Sequence, residues 1–397
     1  MEPRKVAQAV YWVGAVDWDR RLFDELIPLP DGTSYNAYLV RGSEKTALVD
    51  AVDPTMTEVL LERLRSSGVK TLDYVVANHA EQDHSGAIPR ILELHPGATV
   101  LCTPKCKAFL MDLLHLPPER IREVADGESV SLGDRTLRFI HFPWVHWPET
   151  MLTWVPESKI LLSCDLFGSH LATTELFPAD GPALLRAAKR YYAEIMMPFR
   201  GVIEKNLARL DGLDIAVIAP SHGPMFGQPR LILDAYRNWI SSAPRNLAVV
   251  AYVSMHDSTR RMAMHLVEAL SQRGVRVQLF NLIGADVGKL AMALVDAATV
   301  ILASPTVLMG AHPKVAEAAY LTNLLKPKAR FLAIVGSFGW GGKMAEQLVG
   351  MLGSVKAEVL PPVLVKGLPK ASDFAALDKL ADDIGARHAA LPEPGNR

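Results

Sequence analysis

Four potential metal ligands fall within six positions in the run His79-Ala80-Glu81-Gln82-Asp83-His84, directly after the apolar stretch LDYVVAN (72–78). A turn capping a helix that begins near Ser85 would account for this cluster taken alone. Three further candidates share its placement. His146 follows the strand-like TLRFIHF (136–142) after the short PWV segment, Asp165 ends KILLSCD (159–165), and His222 follows DIAVIAP (214–220) in a PSHG turn. Each histidine by itself is more often a structural residue. Loops at the ends of strands in one sheet system can converge on a single edge, so the four coincidences together point to one metal site.

The elements that must carry these residues are legible from length and composition. YNAYLV (35–40) and TALVD (46–50) read as a strand pair across the polar RGSEK turn, and PTMTEVLLERLRSSG (54–68) as a helix closed by a glycine. Short strands with helices between them suggest sheets with outer helices. The polar stretch SSAPRN (241–246) reads as a linker, and the pattern beyond it is regular. Strands at 247–253, 275–282, 299–305, 330–337 and near 358–365 alternate with helices near 258–273, 286–297, 313–325, 343–352 and 373–389. Such alternation signals a doubly wound parallel sheet. Only the final PEPGNR reads as a loose tail.

A sheet of that kind binds its ligand beyond the carboxyl ends of its strands. Three loops there carry suitable residues. Ser254, Met255, His256, Ser258 and Thr259 open a helix, and small hydroxyls with backbone amides at a helix N-terminus suit a phosphate monoester. Pro305, Thr306 and Val307 follow the third strand, and Ser337, Phe338, Gly339, Trp340, Gly341 and Gly342 follow the fourth. Glycines let backbone approach a flat ring closely, and Trp340 or Phe338 could flank it. No GxGxxG is present, so a mononucleotide fits better than a dinucleotide. A Ser/Thr helix cap without a ligand is the plain alternative for the first loop.

Bulk properties restrict the setting. Among 397 residues, 42 Lys and Arg nearly cancel 43 Asp and Glu, so no global charge recruits nucleic acid or an anionic membrane. No run of about 18 apolar residues suggests a membrane span. MEPRKVAQAV lacks the apolar core and cleavage site of a signal peptide. Cys102, Cys106 and Cys164 form no CxxC pair, which disfavours a disulfide framework, a cysteine zinc site and a cysteine-ligated cluster. A reducing cytoplasm is the expected location.

The HxxxDH core, followed by a histidine, an aspartate and a final histidine at strand ends, resembles the metallo-β-lactamase superfamily, whose zinc members usually carry HxHxDH. Here the middle position is Glu81, which adds charge and hard oxygen and favours iron or manganese. The whole set resembles the site of flavodiiron proteins, and YWVGAVDWD (11–19), HWPETM (146–151), YYAEIMMPF (191–199) and SFGWGG (337–342) look like sequence of that family. The resemblance implies an N-terminal metallo-β-lactamase-like αββα sandwich over residues 1–245 and a flavodoxin-like, FMN-binding domain over 246–397. It implies two irons, one held by His79, Glu81 and His146, the other by Asp83 and His222, with Asp165 bridging. It makes His84 and His170 candidate catalytic residues: His84 either binds iron or stands back from it, and His170 lies near the substrate pocket. A packed loop histidine is an equally good reading of His170. The implied activity is reduction of dioxygen to water, of nitric oxide to nitrous oxide, or both, with electrons passing through FMN. Implied partners are rubredoxin or another separate donor and a second copy, in a head-to-tail homodimer or a dimer of dimers. A zinc hydrolase fused to a flavodoxin-like domain is the alternative, and Glu81 stands against it.

Overall fold

The computed structural model of the chain describes residues 1–392, so the expected tail lies from Glu393 onward outside the described residues. The chain divides into two compact units. The first comprises Met1–Tyr192 and Phe199–Ile240, the second Ala193–Pro198 and Ser241–Arg397.

The first unit contains two sheets whose strands lie side by side in chain order. One is built from β1 (Arg4–Ala7), β2 (Val10–Trp12), β3 (Tyr38–Arg41), β4 (Thr46–Val49), β5 (Tyr74–Val76), β6 (Thr99–Cys102) and β7 (Ile121–Glu123). The expected pair across RGSEK is β3 against β4, antiparallel with Leu39 opposite Leu48. Tyr35 belongs instead to a small ribbon that pairs Ala15–Asp17 with Thr33–Tyr35. The other sheet is built from β8 (Ser129–Ser131), β9 (Thr136–His141), β10 (Met151–Val155), β11 (Ile160–Cys164) and β12 (Val217–Pro220). Strand alternation sends successive side chains to opposite faces. Val49, Val76 and Leu101 therefore meet Leu137, Phe139, Met151 and Leu162 in a core between the sheets. Leu48, Val75 and Val100 pack on the other face against Leu60, Leu61 and Leu64 of α1 (Thr57–Ser66), Ile88 and Ile91 of α2 (Ile88–Leu94), and Leu110 of α3 (Pro104–Leu114). Each fully buried leucine or valine contributes about 1.5–3 kcal/mol relative to exposure.

Strand β10 runs antiparallel to both β9 and β11, and β12 runs parallel to β11. The carboxyl ends of β9, β11 and β12 therefore open on one edge. Those ends lead to His146, Asp165 and His222 respectively.

The second unit has the spatial order β14-β13-β15-β16, with β13 (Arg245–Tyr252), β14 (Arg276–Asn281), β15 (Ala297–Val307) and β16 (Phe331–Phe338) all parallel. The expected fifth strand is two short ones on β16, β17 (Glu358–Val359) and β18 (Val363–Lys366). Pro361 and Pro362 separate them, because proline offers no N–H to a ladder. Thr306 and Val307, expected in a loop, are strand instead. β15 continues to Val307 and folds back onto Gly310–Ala311. The two turn residues, Leu308 and Met309, have φ of +47° and +67°, the backbone that a two-residue hairpin turn demands. Ser337 and Phe338 likewise end β16, leaving only 339–343 as loop.

One buried histidine makes this unit pH-sensitive. His388, in the final helix, is 4% exposed; its Nδ1–H donates to Asn246 Oδ1 (2.9 Å) and its Nε2 accepts from the Thr299 hydroxyl (2.6 Å). Burial pulls its pKa down to about 4. The unfolded chain then binds a proton that the fold refuses. This stability is present above about pH 6.5 and is lost as pH falls toward 4, by roughly 1–2 kcal/mol after allowing for solvent screening. Urea midpoints should fall over that range, and more gently in His388→Gln; parallel declines would assign the effect elsewhere.

Candidate metal centre

The strand ends converge. Asn78, just beyond β5, donates from its backbone and side-chain nitrogens to the two oxygens of buried Asp50 (2.8 and 2.9 Å). It accepts from Thr153 at its side chain and from the Met151 N–H at its carbonyl, which ties the first sheet to β10 of the second. His79 follows on this fixed point. Burial raises the Asp50 carboxyl to about 6, against the opposing pull of His84 and the Asn78 hydrogen bonds. Asp83 and His84, expected ahead of a helix near Ser85, lie inside a helical turn of their own, Gln82–Ser85.

Two candidate ligand sets result. In the first, Glu81 Oε2 lies 3.1 Å from Nε2 of both His79 and His146, while Asp165 Oδ2 lies 3.5 and 3.7 Å from the same nitrogens. In the second, Asp83 sits 3.2 Å from His84 Nε2 and 3.1 Å from His222 Nε2, with Asp165 Oδ1 at 3.2 and 3.5 Å. Asp165 thus presents one oxygen to each set. His84, whose role the resemblance left open, stands in the second set with its Nε2 aimed inward. His170 is in neither. Its Nδ1 pairs with the Thr33 hydroxyl at 2.9 Å, and its ring lies 5.2 Å from that of His222. Burial, reinforced by the His222 charge, holds its pKa well below the usual range, so it is neutral.

The electrostatics are those of a cation site. Burial alone would push His79 and His84 down, yet surrounding carboxylates raise both above the ordinary value, His84 to about 9. Burial would raise Asp165, but His84, His79 and His222 hold it well below the carboxylate range. Asp83 Oδ1 and Oδ2, His84 Nε2, Asp165 Oδ2 and His222 Nε2 are buried without a satisfied hydrogen bond. Each such atom costs about 1–3 kcal/mol unless something partners it. Metal ions at the two clusters His79–Glu81–His146–Asp165 and Asp83–His84–His222 would satisfy all five.

Comparisons with known proteins place the chain in a family. A family model described as ODP family beta lactamase matches residues 33–223. The chain is 38% identical to a nitric oxide reductase of Moorella thermoacetica, over 98% of this chain and 99% of that one. Its structure superimposes on the rubredoxin oxygen:oxidoreductase of Desulfovibrio gigas with a TM-score of 0.94, at 32% identity, covering 98% and 99% of the two chains. The flavodiiron protein of Giardia intestinalis gives 0.92 at 29% identity, covering 98% and 97%. The chain belongs to the flavodiiron protein family. It is an oxidoreductase, with the metallo-β-lactamase-like and flavodoxin-like folds of that family.

Several residues of this flavodiiron site escape a reading of the sequence. Glu149 accepts from His79 Nδ1 at 2.6 Å. Tyr191 and Ser221 donate to Asp165 Oδ1 at 2.9 and 2.8 Å. Asn36 donates to the Pro220 and Gly223 carbonyls, both at 2.8 Å, and so fixes the loop that bears His222. Gly223 has φ +74°, and a Cβ there would sit 2.1 Å from the Ser169 hydroxyl, so only glycine closes that turn. Carboxylate and hydroxyl residues within the family-like stretches HWPETM and YYAEIMMPF were the available signal for Glu149 and Tyr191.

In the second unit the expected flavin residues share the carboxyl edge of the sheet. Thr259 and Ser337 hydroxyls bond at 3.1 Å, and the Lys343 N–H donates to the Met309 carbonyl. Ser254 Oγ is buried without a hydrogen-bond partner just before the helix beginning at Ser258, which leaves a donor for a phosphate oxygen. At Gly342 (φ +142°) a Cβ would meet the Thr306 methyl at 2.6 Å. Met255, His256, Gly339 and Trp340 are exposed, Trp340 by 90%; Phe338 is half-buried and Gly341 is partly covered.

Proposed function

We propose that this chain reduces dioxygen to water, nitric oxide to nitrous oxide, or both, at a pair of non-heme irons supplied with electrons by FMN. The observation that carries this is Asp165, with one oxygen toward each of two histidine–carboxylate sets. The first iron is assigned to His79, Glu81 and His146, the second to Asp83, His84 and His222, with Asp165 shared. Three carboxylates neutralise most of the charge of two divalent ions, and their hard oxygens suit iron. When bound, the iron pair supplies the sites and electrons for a diatomic gas, and FMN accepts electrons and passes them on singly. The chain's own residues do the rest. Glu149 and the Ser34 carbonyl orient the imidazoles of His79 and His222. Trp147, edge-on to His79 at 5.1 Å between rings, and Phe23, 5.0 Å from His170, give the surroundings an apolar lining that restricts water.

FMN is assigned to the edge that carries Ser254, Thr259, Thr306 and the 337–342 segment. We propose a head-to-tail pair of chains in a reducing cytoplasm, with rubredoxin or another separate carrier as donor. Exposed Met255, Leu308, Met309 and Trp340 at this edge supply the apolar surface such an assembly would cover. Among the described residues no helix is long and apolar enough to cross a membrane.

Anaerobic assays of both gases with one common reductant test the activity. A preparation with two irons and FMN that consumes neither gas, or one that takes up zinc alone and shows hydrolysis, would overturn it. Trp340→Ala should weaken FMN retention about tenfold or shift the flavin spectrum, with iron content unchanged, because one aromatic stack is worth roughly 0.5–1.5 kcal/mol. An identical spectrum and affinity would place Trp340 away from the ring.

A further inference from the structure

The two ligand sets are backed differently. Behind His79 stands a buried carboxylate: Glu149 Oε1 lies 2.6 Å from His79 Nδ1 and accepts also from the Ala80 N–H at 3.1 Å, with the residue only 2% exposed. Behind His222 the corresponding acceptor is neutral, the Ser34 carbonyl at 2.9 Å. The arms of Asp165 differ in the same sense. Oδ1, which faces His84 and His222, accepts from the Tyr191 and Ser221 hydroxyls. Oδ2, which faces His79 and His146, has no hydrogen-bond partner.

A carboxylate on the far nitrogen makes an imidazole a stronger donor to a metal. Hydroxyl donors draw electron density from the oxygen they bond and make it a weaker one. The two asymmetries arise from different residues and add, enriching the first position and depleting the second. We propose that the two metal positions are electronically inequivalent, and that Glu149 is the positioning residue which makes the His79–Glu81–His146 position hold the more oxidised iron. This rests on the di-iron reading above. In a titration of the iron-loaded protein, a soluble one-electron redox mediator would take the electrons of the reduced pair one at a time and be reduced itself. The first leaves the iron at the His79 position, taking that ion from ferrous to ferric; the second leaves the iron at the His222 position.

The test is a mediated redox titration of the iron-loaded, FMN-containing protein, following the half-oxidised pair by electron paramagnetic resonance. Glu149→Gln keeps the size of the side chain and an oxygen for His79 Nδ1–H while removing the charge. It should move the lower-potential step upward by about tenfold in its equilibrium constant, close to 59 mV for one electron. It should also weaken one of the two irons about tenfold. Tyr191→Phe removes a hydroxyl from Oδ1 and should move the upper step downward, so both variants reduce the greatest amount of half-oxidised species. A Glu149→Gln protein with two irons and an unmoved lower step overturns the inference. If that variant holds no iron, an unmoved upper step in Tyr191→Phe overturns it instead. A wild-type chain that takes up zinc alone removes the di-iron reading, a separate result that needs no variant.

Discussion

Asp165→Ala should lose both irons and reduce gas consumption at least about a thousandfold, while FMN stays bound. The Asp165 oxygens lie within 3.7 Å of the Nε2 atoms of His79, His84, His146 and His222, two nitrogens for each oxygen. Two divalent ions at the 3.5–4 Å usual for paired sites repel by the order of 20 kcal/mol at an effective dielectric near 20. Among the described residues, Asp165 is the carboxylate that presents an oxygen to both sets and so offsets this repulsion at both ions together. Its removal also takes one negative charge and both shared oxygens out of a buried pocket lined by four histidines, which weakens the pocket's attraction for any cation. The proposed flavin edge draws on none of these residues. Iron and FMN analysis of one purified sample, with oxygen and nitric oxide consumption, checks the result. Loss of FMN along with iron from a folded protein would contradict the modular picture.

Glu81→His should change which metal is taken up. Glu81 Oε2 lies nearer than Asp165 Oδ2 to the Nε2 atoms of His79 and His146, at 3.1 Å from each. Both imidazoles, with burial opposing, hold its carboxyl far below the usual carboxylate range. Exchanging it for a neutral imidazole removes one negative charge and one hard oxygen from the first set. That approaches the three-histidine arrangement that suits zinc. The expected protein carries zinc in excess of iron at that position and consumes either gas at least about a hundredfold more slowly, since zinc does not change oxidation state. Two irons per chain with an undiminished rate would show that Glu81 does not set the metal.

The candidate ligands were legible because chemistry and position coincided. Histidines and aspartates stood where apolar runs ended, and period-two runs of that length are strands whether or not their partners are known. The second unit was legible for the same reason, since strand and helix alternate without interruption. What escaped was of two kinds. Local backbone choices were missed where two outcomes share one composition. Thr306–Val307 reads as loop after a proline, yet it stays in β15 because Leu308 and Met309 accept left-handed backbone and return the chain onto Gly310. Residues recognised only by what they touch were missed as well. Glu149 looks like any carboxylate near a turn until it is seen 2.6 Å from a histidine 70 residues away. Asn36 looks like a polar residue between strands until it holds the carbonyls that flank His222.

The sequence by itself determined the kinds of donor in the candidate metal centre, the glutamate where zinc enzymes of this fold use histidine, and the order of strands that would bring the donors to one edge. Residue type and period are local properties, and they survive without a structure. The tertiary structure decided which oxygen of Asp165 faces which set, that His84 joins a set while His170 does not, and that a charged group stands behind one histidine and a neutral carbonyl behind another. Those facts depend on contacts such as that of His222 with Ser34, 188 residues apart in the chain. Burial then sets their strength, because a carboxylate or a carbonyl acts on a neighbouring imidazole far more strongly when water is excluded.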